Sequence, residues 1–203
     1  MTRNIIITQR YDKIGQFREG RDNLDVRYIK LIEKLKLIPV PISNNIKNLK
    51  NILKHIKPCG IVLSSGGDPR KNDIRKKIEI KLIKHSIKNK VPILGICRGA
   101  QALNLFFGGK IKKITGHVRK DHVIKGSIYN KYINYKVNTF HDLGINRKNL
   151  AKNLVTNFIS KDSNIECFSN KNMNILGIMW HPERYKILRK FEISLLKKFF
   201  KCN

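Results

Sequence analysis

Apolar positions in the first half of the chain switch repeatedly between a strand period and a helix period. Asn4–Thr8, with Ile5, Ile6 and Ile7 in succession, reads as a buried strand. A polar loop runs through Gly20. Behind Asp22, the expected N-cap, Leu24, Tyr28, Leu31, Ile32 and Leu35 then recur at helical spacing. Leu37–Ile42 is extended again, and Pro39 and Pro41 restrict it to a sheet edge. A helix over Asn45–Ile56, a strand at Gly60–Ser64 and a glycine turn follow. Next come a helix with Ile74, Ile78, Leu82 and Ile83 on one face, a strand at Val91–Ile96 and a helical stretch Ala100–Phe107. Strands alternating with helices imply right-handed crossovers and a mostly parallel sheet in an α/β fold.

Beyond Lys110 the texture changes to short strands and turns. Lys110–Ile114, Asp121–Lys125, Tyr132–Val137, Asn164–Phe168 and Asn174–Met179 are the expected strands, followed by an amphipathic helix around Tyr185–Phe200. At 203 residues, with no repeat, low-complexity tract or linker, a single domain over 1–203 is expected.

The formal net charge of +29 favours anionic partners in general. Lysine outnumbers arginine more than two to one and Ile and Asn are abundant, so compositional bias explains the charge equally well. Groups such as Arg75–Lys77 and Lys197–Lys198 read as solvated helix faces. Only Lys197–Lys201 around Phe199–Phe200 interleaves basic and aromatic residues, which weighs against a nucleic-acid partner. Cys59, Cys97, Cys167 and Cys202 are too far apart for a disulfide framework or a zinc motif, so a reducing, cytoplasmic setting is expected. Ile5–Ile7 is too short for a signal-peptide core, and no apolar run approaches the roughly 20 residues of a membrane span, so no membrane partner is expected. The oligomeric state stays open.

The sharpest chemical signal is Gly95–Ile96–Cys97–Arg98–Gly99, between an apolar strand and a helical stretch. Glycines flanking a nucleophile at such a junction permit a tight turn that lifts the side chain above the sheet, where the helix N-terminus favours a thiolate. A buried structural cysteine fits the five residues alone equally well. Trp180–His181–Pro182–Glu183 supplies a base: in an extended segment Glu183 projects to the same side as His181 and can orient its ring. Read alone, a surface histidine beside a helix-capping glutamate is the commoner arrangement. Together the motifs form a nucleophile, base and orienter: Cys97, His181 and Glu183. Ser64–Ser65–Gly66–Gly67–Asp68–Pro69 ends another strand. Its glycine amides, Gly66 and Gly67, with the N–H of Arg98, could form an oxyanion hole, although an ordinary turn also fits.

These residues resemble the class I glutamine amidotransferase-like superfamily, and within it the free-standing γ-glutamyl hydrolases of the peptidase C26 type. The similarity runs from Ile7–Thr8–Gln9–Arg10 to Trp180–Glu183, with Gly95 to Gln101 matching the family's G-I-C-R-G-x-Q pattern. The resemblance implies a three-layer flavodoxin-like fold with small added antiparallel strands. It also implies hydrolysis of a γ-glutamyl amide in a small soluble conjugate through a Cys97 thioester, with no metal or organic cofactor. Gln101, one helical turn beyond Cys97, would help hold the γ-glutamyl group, and Asn138, Thr139, Phe140 and His141 would belong to the substrate segment. Arg98 and Trp180 resemble the stand-alone hydrolases more than the synthetase-linked glutaminases. A His-His-Gln run in relatives acting on γ-glutamyl-aminobutyrate is replaced here by His141–Asp142–Leu143, which argues against that leaving group. Arg18 to Asp25 resembles a segment of members from surface-carbohydrate pathways, one of which acts on a γ-glutamyl phosphoramidate nucleotide. Arg10, Arg18 and Arg21 would then be phosphate contacts; salt-bridged helix capping by Asp22 and Asp25 is the alternative. A glutaminase serving a separate synthetase remains the main functional rival.

Overall fold

The structure is a computed structural model describing residues 3–172 and 174–201. In chain order its strands and helices are β1 (Asn4–Thr8), β2 (Arg10–Ile14), β3 (Glu19–Asn23), α1 (Val26–Lys34), β4 (Ile38–Ile42), α2 (Leu49–Ile56) and β5 (Gly60–Leu63). There follow α3 (Ile74–Asn89), β6 (Ile93–Ile96), α4 (Arg98–Phe106), β7 (Lys112–Lys113), β8 (Val118–Ile128), β9 (Lys131–Phe140) and β10 (Leu143–Gly144). The chain closes with β11 (Val155–Ser160), β12 (Ile165–Ser169), β13 (Ile175–Ile178) and α5 (Lys190–Phe200). One nine-stranded sheet in the order β4-β1-β5-β6-β13-β12-β11-β8-β9 organises the molecule. Its first five strands are parallel and the rest run antiparallel to their neighbours.

Successive side chains on a strand face opposite sides, so Ile5 and Ile7 feed one core and Ile6 the other. The first core packs under Tyr28, Leu31 and Ile32 of α1 and Leu195, Leu196 and Phe199 of α5. The second packs under α2, α3 and α4 through Leu53, Leu82 and Leu103. This is the expected three-layer α/β arrangement, with β4 at the edge as its prolines require. No helix among the described residues is long and apolar enough to cross a membrane.

Several expectations need correction. The polar stretch before Gly20 is a β2–β3 hairpin pairing Arg10 with Asn23, and its strands are too polar to have shown a buried face. The N-cap of α1 is Asp25, whose carboxylate accepts from the Arg27 N–H (3.0 Å). Asp22 instead accepts from Ser43 Oγ and Asn44 Nδ2, both at 2.5 Å. The antiparallel addition is larger than small strands: β8 and β9 form a long hairpin closed by Tyr129 and Asn130, both at positive φ. That hairpin lacks an Asn-Gly or Asp-Gly turn signal, and β11 was not among the expected strands.

Candidate active site

The parallel strands β5 and β6 end at one edge of the sheet, and the nucleophile turn forms there. Cys97 adopts φ 51° and ψ −105°, a conformation a non-glycine residue reaches only under constraint. Crowding explains the flanking glycines. A Cβ on Gly95 would lie 2.5 Å from the Gly99 backbone, and one on Gly99 would lie 2.1 Å from the Leu63 carbonyl oxygen. The Cys97 N–H donates to Ile178 O (2.7 Å), fixing the turn to β13. No side chain caps α4, so its first-turn amides, Arg98 included, stay available at the thiol.

The strand β13 delivers the histidine beside it. Asn138 clamps the His181 backbone from both sides: its Oδ1 accepts from the His181 N–H (2.8 Å) and its Nδ2 donates to the His181 carbonyl (2.9 Å). The His181 ring is buried, with Nδ1 at 2.6 Å from Glu183 Oε1. Glu183 reaches the ring from a 3-10 turn at Pro182–Arg184, not from the extended segment expected. The other ring nitrogen, Nε2, has no hydrogen-bond partner among the described residues and shares the cavity with Cys97. Burial opposes the charged ring, but the Glu183 carboxylate and then Cys97 outweigh it and raise the His181 pKa to about 10. The arrangement favours the protonated, charged form of the His181 ring.

Opposite them lies the glycine turn. Gly66 and Gly67 both hold positive φ (87° and 82°), and space is open where a Gly67 side chain would be. The turn is anchored by groups far off in sequence. Thr8 Oγ1 accepts from the Ser64 N–H (3.0 Å), and Tyr28 Oη accepts from the Ser65 N–H (2.9 Å). Arg75 donates to Ser64 O (2.5 Å) and Gly66 O (2.8 Å). Arg75 is therefore no solvated surface charge: it is 3% exposed and paired with Glu79 at 2.9 Å. Glu79 also binds the Arg98 guanidinium, so the Arg98 side chain serves a buried ion network while its backbone faces the thiol. Glu79, four residues after Arg75 on α3, was the available signal.

Cys97, His181, Gly66, Gly67 and Arg98 border one cavity of about 260 Å³, together with Gln101, Phe140 and His141. Gln101 Nε2 donates to Leu143 O (2.8 Å), tying α4 to the segment after β9. The Phe140 ring meets His181 edge-on at 5.5 Å between centroids. Asn138 and Thr139 do not border the cavity. Asn138 is spent on the His181 clamp, and Thr139 Oγ1 donates to His117 O (2.6 Å), because alternate residues of β9 face away. Of the three arginines expected at a phosphate, only Arg10 borders the cavity. Arg21 pairs with Glu19 (2.6 Å) on the exposed hairpin, and Arg18 sits at the hairpin's turn. Arg184 also borders the cavity, stacked 4.2 Å from the Phe140 ring centroid. Its position next to Glu183 in sequence was the missed clue.

The turn, the buried histidine and the sheet order can be set beside known proteins. The model of the glutamine amidotransferase class-I family matches residues 22–202. The chain belongs to the class I glutamine amidotransferase family. Among its relatives, the gamma-glutamyl-CDP-amidate hydrolase of Campylobacter jejuni is 33% identical, covering 96% of each chain. Component 2 of the anthranilate synthase of Saccharolobus solfataricus is 28% identical over 85% of this chain and 94% of its own. Among solved structures, a glutamine amidotransferase from Thermotoga maritima superposes with a TM-score of 0.67 at 14% identity, covering 98% of this chain and 82% of its own. The fold is thus that of class I glutamine amidotransferases, and the similarity supports an amidohydrolase-type enzyme.

Proposed function

We propose that this amidotransferase-family chain is a cysteine-dependent γ-glutamyl amide hydrolase acting on a small soluble conjugate. One observation carries the reading: a thiol on a constrained strand-to-helix turn shares a cavity with a buried histidine whose far nitrogen is held by a glutamate. In this mechanism the Cys97 thiolate attacks the γ-carbonyl carbon, and the Arg98 and Gly67 amides receive the developing oxyanion. The His181 imidazolium gives its proton to the departing nitrogen as the C–N bond breaks, leaving a γ-glutamyl thioester. Neutral His181 then takes a proton from water attacking the thioester, which releases glutamate and restores the ion pair. Glu183 fixes the tautomer and stabilises the charged ring.

The leaving group carries phosphate in this proposal. Arg10 and Arg184 supply cationic side chains at the cavity, and the Campylobacter jejuni relative is named for a γ-glutamyl-CDP-amidate substrate. A γ-glutamyl phosphoramidate nucleotide, as used in surface-polysaccharide synthesis, is the substrate class we favour. The rival, glutamine hydrolysis with ammonia passed to a synthetase, draws on relatives named as components of synthases. Glutamate release is measured from γ-glutamyl-CDP-amidate, γ-glutamyl-aminobutyrate and glutamine at matched concentrations. The phosphoramidate should give the highest kcat/KM. Glutamine turnover that rises only when a synthetase partner is added would overturn the proposal in favour of the rival.

A further inference from the structure

Away from the thiol, five of the buried side-chain atoms without a hydrogen-bond partner gather at one point. They are Nδ1 of His117, Nε2 of His122, Nε2 of His141 and both carboxylate oxygens of Glu166. Glu166 is wholly buried, and His117 and His141 are each 3% exposed. A carboxylate isolated from water costs several kcal/mol unless a cation or donor meets it.

Two of the three rings are held from behind by an oxygen acceptor. His117 Nε2 lies 2.9 Å from Asp162 Oδ2, and Asp162 is itself held by Ser160 Oγ (2.5 Å) and Asn164 Nδ2 (2.7 Å). The His117 Nδ1 points to the other side, 3.3 Å from Glu166 Oε1. His141 repeats the pattern: Nδ1 bonds the Leu143 carbonyl (3.2 Å), and Nε2 faces Glu166 Oε2 at 3.7 Å. His122 Nε2 stands 3.3 Å from the same oxygen. Three imidazole nitrogens converging on one buried carboxylate call for positive charge between them, as protons or as a cation.

The spacing fits a metal ion. The donor atoms of His117, His122 and Glu166 all lie within 4.8 Å of one another. Two ligands each about 2.0–2.1 Å from a tetrahedral zinc stand about 3.3–3.4 Å apart; the two shorter contacts have that length but end on different oxygens of Glu166, so one ion would take both oxygens or draw an imidazole inward. A carboxylate or backbone carbonyl behind each ring is the usual outer support of a metal-bound histidine.

Backbone geometry builds the site deliberately. His117 and His122 are an odd number of residues apart and would face opposite sides of a regular strand. The β8–β9 register slips between Val118 and Lys120, and Arg119 takes φ 54° there. The extra residue of this bulge turns both imidazoles toward Glu166 on β12. The cysteine spacings gave no hint of this, because no cysteine takes part.

We propose that His117 Nδ1, His122 Nε2 and the Glu166 carboxylate form a divalent-metal site, suited in donor set to zinc once the imidazoles close on the ion, that fastens β8 to β12 one side chain away from the cavity. His141 Nε2 borders the remaining coordination position and links the site to the cavity wall. The His117 carbonyl also accepts from the His141 N–H (2.9 Å) and from Thr139 Oγ1. A metal on His117 therefore steadies the whole segment from Thr139 to His141.

The test uses full-length protein carrying Cys97→Ala, so that the cavity thiol is not a ligand. Metal-stripped protein is titrated with Zn2+ and, separately, with Co2+. One equivalent should bind, Tm should rise with Zn2+, and Co2+ should give the visible bands of a four- or five-coordinate site. His122 is the least buried of the donors, so His122→Ala in this background should fold and lose at least about a hundredfold in metal affinity. Glu166→Gln should do the same where it folds. No stoichiometric binding, no metal-dependent change in Tm, or binding undiminished by His122→Ala would each overturn the site. In the first two cases the cluster would hold protons instead of a cation. The hydrolase reading stands or falls separately, on glutamate release by the Cys97 enzyme.

Discussion

In the parallel half of the sheet, Glu183 meets His181 two residues away through a single 3-10 turn, and the histidine faces a cavity. In the antiparallel half, Glu166 meets His117 and His122, which come from a distant segment, across the intervening strand β11. The first centre has one histidine for one carboxylate, with the second ring nitrogen turned to a thiol. The second crowds three histidine nitrogens around one carboxylate, at 3.3, 3.3 and 3.7 Å. A histidine–glutamate contact therefore has no fixed meaning. The group facing the second nitrogen, and the room around it, separate the centre proposed to move protons from the one proposed to fasten strands.

If the first centre performs the chemistry, the largest effect belongs to Cys97→Ala. Glutamate release should vanish while the circular dichroism spectrum and Tm stay near wild type, because the thiol contributes little packing. Substantial turnover in this variant would end the mechanism. His181→Ala should follow with a loss of several orders of magnitude in kcat, and Glu183→Gln with about a hundredfold or more.

Glu183→Gln also tests the electrostatics by pH. Although burial opposes it, Glu183 and Cys97 keep the folded-state pKa of His181 near 10, against 6.5 for an unperturbed ring. Stability from this raised value is fully present below about pH 6.5 and is lost as pH rises through about 10. The Tm difference between wild type and Glu183→Gln should therefore be greatest near pH 6 and shrink toward pH 10. A difference that grew with pH would contradict the ion pair.

Arg75→Ala is the next test, and it probes support for the cavity. Breaking the buried pair with Glu79 should cost about 3–5 kcal/mol, visible in urea unfolding, and should loosen the Ser64–Gly67 turn. Lys77→Ala, exposed on the same helix, should change neither stability nor turnover. Smaller still, Arg184→Ala should raise KM about tenfold for a phosphorylated γ-glutamyl substrate and much less for an uncharged one. Arg18→Ala and Arg21→Ala should leave both values alone, since neither side chain reaches the cavity. Cys59→Ser and Cys167→Ser should retain activity; Cys202 lies outside the described residues.

Legibility in the sequence followed the distance between partners. The nucleophile turn could be read because its requirements are local: Gly95 and Gly99 flank Cys97, and the strand and helix around them announce themselves by period. The pairing of His181 with Glu183 was equally near at hand, although the turn joining them was not. Asn138 could be placed in the right segment but not in its role, because its clamp depends on the segment after β13 reaching the end of β9. The arginines were misjudged in both directions. A guanidinium looks the same in sequence whether it ends in water, as Arg21 does, or in a buried network, as Arg75 does.

The sequence by itself determined the alternation of strand and helix, the edge position of Pro39 and Pro41, and the cysteine turn, since each follows from steric and hydrophobic preferences within a few residues. The tertiary structure decided which strands meet, and with them the long antiparallel hairpin, the anchoring of the glycine turn by Thr8, Tyr28 and Arg75, and the gathering of His117, His122 and Glu166. Those contacts join residues tens of positions apart, and their energies depend on burial and on the partner's placement, which exist only once the sheet has formed.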